Sequence, residues 1–241
     1  GGAHADRYPE RDAGRVSETA RGSGAGMGTA VIDPHSGEEA VHLGAAPGEA
    51  DAAVVLVHGR GGSPEGMTDF ARALVRPDAV WIAPRAAAGS WYPQSFLAPI
   101  EANQPWLDSA LRTLDRTVAE LRQEYRLPRE RILLLGFSQG ACLATEFVSR
   151  NPGRWGGLAA LSGGLIGPPG TQWDGDGGLE GTPTFFGCGD PDPHIPRERV
   201  EESGRLFERR GAAVDVRIYP GLGHAVNADE VEAVQGLLDT L

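Results

Sequence analysis

Four short, unbroken apolar runs constrain this chain more than any other feature: Ala52–Val57, Val80–Ala83, Ile132–Leu135 and Leu158–Leu161. Thr184-Phe185-Phe186 opens a fifth. Each is too short for a buried helix, and apolar side chains at every position suit a strand buried on both faces, as in a parallel sheet. The segments between them carry helical spacing. Ser63-Pro64 is a helix start, with Ser63 as N-cap, and Met67, Phe70, Ala71 and Leu74 supply the buried face. Trp106, Leu107, Ala110, Leu111, Leu114, Val118, Leu121 and Tyr125 predict a long amphipathic helix that Pro128 ends. A helix-patterned run follows from Ala141 to Val148, and Asn227 with Glu230 predicts a capping box on the last helix. Val214, Val216 and Ile218 alternate with Asp215, Arg217 and Tyr219, which marks a half-exposed strand near a sheet edge. Thr29–Asp33 and Glu39–Leu43, flanking Pro34-His35-Ser36-Gly37, read as a β-hairpin at one edge. Strands alternating with helices define an α/β fold, a mostly parallel central sheet with helices on both faces.

Residues 27–241 suffice for a single α/β domain. Residues 1–26 are rich in Gly, Arg, Glu and Ala without apolar periodicity, which predicts a flexible or loosely docked N-terminal extension. The formal net charge of −11 argues against nucleic acid or an anionic membrane as partner, since both require basic patches. No stretch approaches the ~20 apolar residues of a membrane span. The N-terminus lacks the apolar core of a secretory signal, so a cytoplasmic location is expected. Cys142 and Cys188 make no disulfide framework, and free buried thiols are expected.

The chemistry-bearing residues lie where predicted strands end. Gly136-Phe137-Ser138-Gln139-Gly140 follows the Ile132–Leu135 strand and enters a helix, the context of the nucleophile elbow of an α/β-hydrolase. With 35 Gly in the chain, chance supplies about 0.2 copies of G-x-S-x-G, so context must decide. Three further strand exits provide it. Ala52–Val57 runs into His58-Gly59-Arg60-Gly61-Gly62. The strand at Thr184 opens onto Gly189-Asp190-Pro191-Asp192-Pro193-His194-Ile195-Pro196. The Val214–Tyr219 strand leads to Pro220-Gly221-Leu222-Gly223-His224. In open α/β sheets ligands bind beyond the carboxyl ends of the strands, where these residues fall.

A serine hydroxyl needs a neighbouring base to attack at neutral pH, and histidine can accept and return that proton. A carboxylate on the far ring nitrogen fixes the tautomer and stabilises the imidazolium. Ser138 as nucleophile, an acid at Asp190 or Asp192, and His224 as base follow the chain order Ser, Asp, His. The oxyanion would be held by the backbone N–H of Gln139, at the start of the elbow helix, and by that of Arg60 in the glycine-rich loop. His58 is expected to hold its loop, while His35 and His42 in the hairpin carry no role. No pair of ligand-type residues has short metal spacing, and no phosphate-binding loop follows a strand, so neither metal nor cofactor is expected.

Together, His58–Gly62, Gly136–Gly140, Asp192–Pro196 and Gly221–His224 resemble the phospholipase/carboxylesterase family. These are small lidless α/β-hydrolases that include acyl-protein thioesterases and bacterial carboxylesterases. The resemblance covers roughly Ala52 to Leu241 and implies an α/β-hydrolase fold with no large lid domain. It also implies hydrolysis of carboxylic esters or thioesters without a cofactor, often by a homodimer. The family's Asp-Pro-x-x-Pro motif begins with its catalytic acid, which selects Asp192. The aromatic stretch Pro84–Gln104, with Ser90-Trp91-Tyr92-Pro93, is more like the bacterial esterase branch, and it contains no long apolar lid for a palmitoyl chain. Related dienelactone hydrolases carry cysteine at the elbow where this chain has serine. The expectation is a serine carboxylesterase acting on small to medium acyl esters through an acyl-enzyme. Trp91, Tyr92, Phe96 and His194 are its expected pocket residues, and a small-molecule ester is its partner. The rivals are an acyl thioesterase or lysophospholipase, and a non-hydrolytic ligand-binding, lyase or cyclase use of the fold.

Overall fold

A computed structural model describes residues 31–173 and 177–241. Within them, strands and helices alternate as β1 (Val41–Gly44), β2 (Ala52–Val57), α1 (Pro64–Ala71), β3 (Ala79–Ala83), α2 (Trp106–Gln123), β4 (Ile132–Phe137), α3 (Gln139–Arg150), β5 (Gly157–Leu161), β6 (Pro183–Gly189), α4 (Arg197–Arg209), β7 (Ala213–Tyr219) and α5 (Ala228–Leu238). The strands form one sheet in the order β1-β3-β2-β4-β5-β6-β7. β1 pairs antiparallel with β3, and the remaining pairs are parallel. This is the mostly parallel α/β sheet that the apolar runs predict.

Every residue of β2 is fully buried because the sheet is covered on both faces. Ala53, Val55 and Val57 pack into a core shared with α2, α3 and α4. Ala52, Val54 and Leu56 pack into a second core with Met67 and Ala71 of α1 and Val234 and Leu238 of α5. Period-two alternation thus survives inside an unbroken apolar run, with each face meeting hydrocarbon. Strand β2 leads to α1 on one face and its neighbour β4 leads to α3 on the other. The crevice between their carboxyl ends is therefore a topological switch point. Register closes the arrangement. Val57 lies opposite Gly136, Phe137 opposite Leu161, and Gly189 opposite Tyr219, so the motif-bearing loops leave along one sheet edge.

The N-terminal hairpin does not form as expected. Pro34–Gly37 is a turn, but residues 31–33 make no strand, and Thr29 and Ala30 lie outside the described residues. The second arm becomes the edge strand β1 and pairs with β3. Asp33 is instead drawn to α2, where Arg116 Nη1 donates to its carboxylate at 2.8 Å and the Ser109 hydroxyl donates as well. Burial alone would raise the Asp33 pKa, yet these bonds hold it below the ordinary value. The expectations for residues 1–26 also fall outside the described residues.

The expected caps are present. The Ser63 hydroxyl accepts the Gly66 amide at 3.2 Å, and Asn227 and Glu230 form a reciprocal capping box. Glu230 is fully buried, and burial pushes its carboxyl up to about 7. Between its ordinary 4.5 and about 7, the folded protein holds a proton that the unfolded chain releases. Stability therefore falls as pH rises through that window, by roughly 3 kcal/mol at full ionisation. Melting curves from pH 5 to 8 should show Glu230→Gln gaining on the wild type as pH rises. A constant offset between the two proteins would refute a buried titrating carboxyl.

Candidate active site

The site begins with a backbone conformation. Ser138 joins β4 to α3 at φ 55°, ψ −121°, outside the regions non-glycine residues ordinarily adopt. Its amide donates to the Leu161 carbonyl at 2.9 Å and its carbonyl accepts the Cys142 amide at 3.0 Å, so the strained residue is tied at both ends. The flanking glycines are required by contact distance. A Cβ on Gly136 would lie 2.4 Å from the Gly140 carbonyl oxygen, and one on Gly140 would lie 2.0 Å from that of Val57. The pattern G-x-S-x-G is thus what allows helix α3 to start directly against strands β4 and β2.

Three side chains from separate strand exits meet here. His224 Nε2 lies 2.8 Å from Ser138 Oγ, and His224 Nδ1 lies 2.7 Å from Asp192 Oδ2. The other Asp192 oxygen accepts the His194 and Ile195 amides at 2.8 and 3.0 Å. The Asp192 side chain has no solvent exposure, and that of His224 has 19%. Burial by itself would raise the Asp192 pKa. The hydrogen bonds from His224 and the two amides outweigh it and keep the carboxyl below its ordinary value. Asp190 points elsewhere, its carboxylate accepting the Gly221 amide at 2.8 Å and bracing the exits of β6 and β7. Phe137 lies against His224 with ring centroids 5.0 Å apart, and the His194 ring sits edge-on to it at 4.9 Å.

The β2 exit lies beside the elbow, where a Cβ on Gly59 would be 3.3 Å from Ser138 Cβ. Among the described residues neither the Arg60 nor the Gln139 amide has an acceptor, and Gln139 opens helix α3. These are the two amides the sequence singled out. His58 is buried and locked, its Nε2 accepting the Ala86 amide at 3.1 Å and its Nδ1 donating to the Gly59 carbonyl at 2.8 Å. Burial lowers its pKa and keeps it neutral.

A cleft of about 450 Å³ opens over Ser138, with Tyr92, Phe96, His194, Ile195 and Cys142 on its walls beside Arg60, Pro93, Gln94, Ser95 and Gln139. Trp91 is the correction among the expected pocket residues. It is fully buried behind the wall, its indole N–H donating to the His58 carbonyl at 2.8 Å. An indole that must satisfy its N–H inside the core turns away from the cleft.

The wall is held by side chains to which the sequence gave other roles or none. Gln139 accepts the Trp91 amide at 2.8 Å and donates to the Tyr92 carbonyl at 2.9 Å. The Arg60 guanidinium donates to Ser90 Oγ and to the carbonyls of Pro93 and Gln94 at 2.8 to 3.1 Å. His35 is buried between Trp91 and Trp106. It accepts the Ala87 amide on Nδ1 and donates from Nε2 to the Trp91 carbonyl, both at 3.0 Å. The one sequence signal for these roles is a histidine inside a turn, a weak one. Cys142 and Cys188 are free and buried, and burial pushes both thiols up to about 12, too high for a nucleophile. Among the described residues no cluster of His, Cys, Asp or Glu could hold a metal, and no helix is long and apolar enough to cross a membrane.

Comparison with known proteins identifies the family. Residues 39–241 match the profile of the family described as Phospholipase/Carboxylesterase. The chain is 26% identical over 224 residues to acyl-protein thioesterase 1 of Debaryomyces hansenii, covering 83% of this chain and 95% of that protein. A crystal structure of a phospholipase/carboxylesterase from Dyadobacter fermentans superposes with a TM-score of 0.80 at 40% identity, covering 86% of this chain and 99% of the other. The Bacillus cereus carboxylesterase, at 21% identity and a TM-score of 0.63 over 85% of this chain and 94% of its own, shares the fold. The chain belongs to the phospholipase/carboxylesterase family of α/β-hydrolase-fold hydrolases.

Proposed function

We propose that the protein is a serine carboxylesterase that hydrolyses small to medium acyl esters through an acyl-enzyme. The observation that carries this is the unbroken chain Asp192–His224–Ser138, at 2.7 and 2.8 Å, ending on a serine that a strained turn holds above the sheet. His224 Nε2 takes the Ser138 proton as Oγ attacks the ester carbonyl. Asp192, ionised and buried, holds the Nδ1 proton and stabilises the imidazolium. The Arg60 and Gln139 amides receive the oxyanion; losing one such donor costs about 2.7–4 kcal/mol of barrier. His224 then protonates the leaving oxygen. In the second half-reaction it activates a water that releases the acid and restores Ser138.

A thioesterase is the second reading, favoured by the D. hansenii relative, whose name is acyl-protein thioesterase 1. Against long acyl chains stands the cleft lining, where Arg60, Gln94, Ser95 and His194 interrupt the apolar wall. Matched oxygen esters and thioesters with acyl chains from two to sixteen carbons separate the readings. The esterase reading expects an optimum at short to medium oxygen esters.

Labelling by an active-site fluorophosphonate should occur in the wild type and vanish in Ser138→Ala, with kcat lower by about 10³- to 10⁶-fold. An unlabelled wild type would leave a non-hydrolytic use of the fold. Asp192→Asn should cost about 10³- to 10⁴-fold in kcat, because the amide imposes the wrong imidazole tautomer. Asp190→Asn should lower stability by roughly 1 kcal/mol with kcat within about tenfold. The reverse order in a side-by-side assay would move the acid to Asp190.

A further inference from the structure

The cleft over Ser138 carries one permanent charge. Among the described residues that line it, Arg60 is the sole arginine and none is an Asp or a Glu. The carboxylate of the site, Asp192, has no exposed side-chain surface and is bonded to His224. In a chain of formal net charge −11, the wall around the nucleophile is a local reversal of sign.

That charge is fixed in place without being neutralised. Arg60 Nη1 donates to Ser90 Oγ and to the Pro93 carbonyl at 3.0 and 3.1 Å, and Nη2 donates to the Gln94 carbonyl at 2.8 Å. All three acceptors are uncharged. Elsewhere Arg85, Arg116 and Arg217 each reach a carboxylate at 2.6 to 2.9 Å, whereas Arg60 reaches none among the described residues. Pro93 and Gln94 line the cleft themselves, so their grip keeps the guanidinium on its wall. The preceding residue, Gly59, would place a Cβ 3.3 Å from Ser138 Cβ, which puts the base of the Arg60 side chain beside the nucleophile.

Holding the wall does not call for a cation. Gln139 grips the same segment with a neutral amide, through the Trp91 amide and the Tyr92 carbonyl. A guanidinium has five N–H donors. Three are engaged at Arg60, which leaves Nε–H and one Nη2 hydrogen. One permanent cation with two free N–H groups matches a carboxylate, which brings one charge and two acceptor oxygens. A phosphate monoester would bring up to about twice that charge, with no second arginine on the wall to meet it.

We propose that the preferred substrate is an ester that itself carries a carboxylate, and that the Arg60 guanidinium binds this group while Ser138 attacks the ester carbonyl. The inference rests on the serine-esterase reading and names its substrate class. Arg60 is exposed, so the bound carboxylate keeps part of its hydration and the selectivity is moderate.

The test uses the full chain and two ester series. One carries the anion on the acyl side: monomethyl succinate and monomethyl glutarate, against methyl succinamate and methyl glutaramate, whose carboxamides keep the shape and lose the charge. The other carries it on the alcohol side: acetoxyacetate and 3-acetoxypropionate, against their carboxamides. At about pH 7.5 the acids are ionised. In at least one series kcat/KM should favour the carboxylate about five- to thirtyfold, between the worth of an exposed ion pair and that of a shielded charged hydrogen bond. The series that responds identifies the side of the ester that Arg60 meets. Arg60→Met removes the charge and should bring that ratio to within about twofold of unity, whatever the loosened wall does to both rates. A second readout needs no variant. Raising the ionic strength from about 0.01 to 0.1 M should lower kcat/KM for the preferred carboxylate and leave its carboxamide unchanged. Were the net negative field of the chain to govern instead, salt would raise the carboxylate rates, and that result overturns the subsite. Carboxamides as good as carboxylates in both series, in a wild type that fluorophosphonate labels, would overturn it too and leave the esterase reading standing. So would a carboxylate preference that Arg60→Met retains. Absence of both labelling and hydrolysis overturns both.

Discussion

The contact on which the rest of the site depends is that of Gly140 with the carbonyls at the end of β2. Because Gly140 has no Cβ, α3 can begin within van der Waals contact of Val57 and His58, and Ser138 is left half-buried at the crest of the sheet. Its φ of 55° costs on the order of 1–3 kcal/mol, offset by the two hydrogen bonds that tie it and by a helix buried along most of its length. The position of Ser138 is therefore a consequence of one backbone contact.

Around that contact, polar side chains fix the wall of the cleft. Pro84–Gln104 has little regular structure, yet His35, His58, Gln139 and Arg60 hold it from behind and above by bonds to its backbone. The bonds of His58 and Gln139 are buried and those of Arg60 exposed, and together they fix a loop whose own sequence offers no periodic packing. Arg60 has a double position: its backbone lies in the loop beside the elbow and its side chain clamps the cleft wall. A shift of that loop would move both together.

Electrostatics in the site follow burial. Asp192 has no exposed side-chain surface and stays ionised because three N–H groups point at its two oxygens. At Cys142 and Cys188 burial dominates instead and pushes both thiols up to about 12. Where hydrogen bonds outweigh burial the carboxyl stays an anion, and where burial wins the cysteines pack as small apolar groups.

The sequence by itself determined the strand runs, the elbow, the caps at Ser63 and Asn227, and the residues Ser138, Asp192 and His224 that the fold brings together, because these rest on short-range patterns and on chemistry tied to strand ends. Resemblance was needed to prefer Asp192 over Asp190, two residues apart in one turn; the structure separates them by direction, one toward His224 and one toward Gly221. Tertiary structure alone decided that Trp91 turns inward while Tyr92 lines the cleft, since neighbours in an aperiodic loop have no spacing that assigns a face. It alone decided that Asp33 binds α2 and that β1 pairs with β3, because the partners lie tens of residues away.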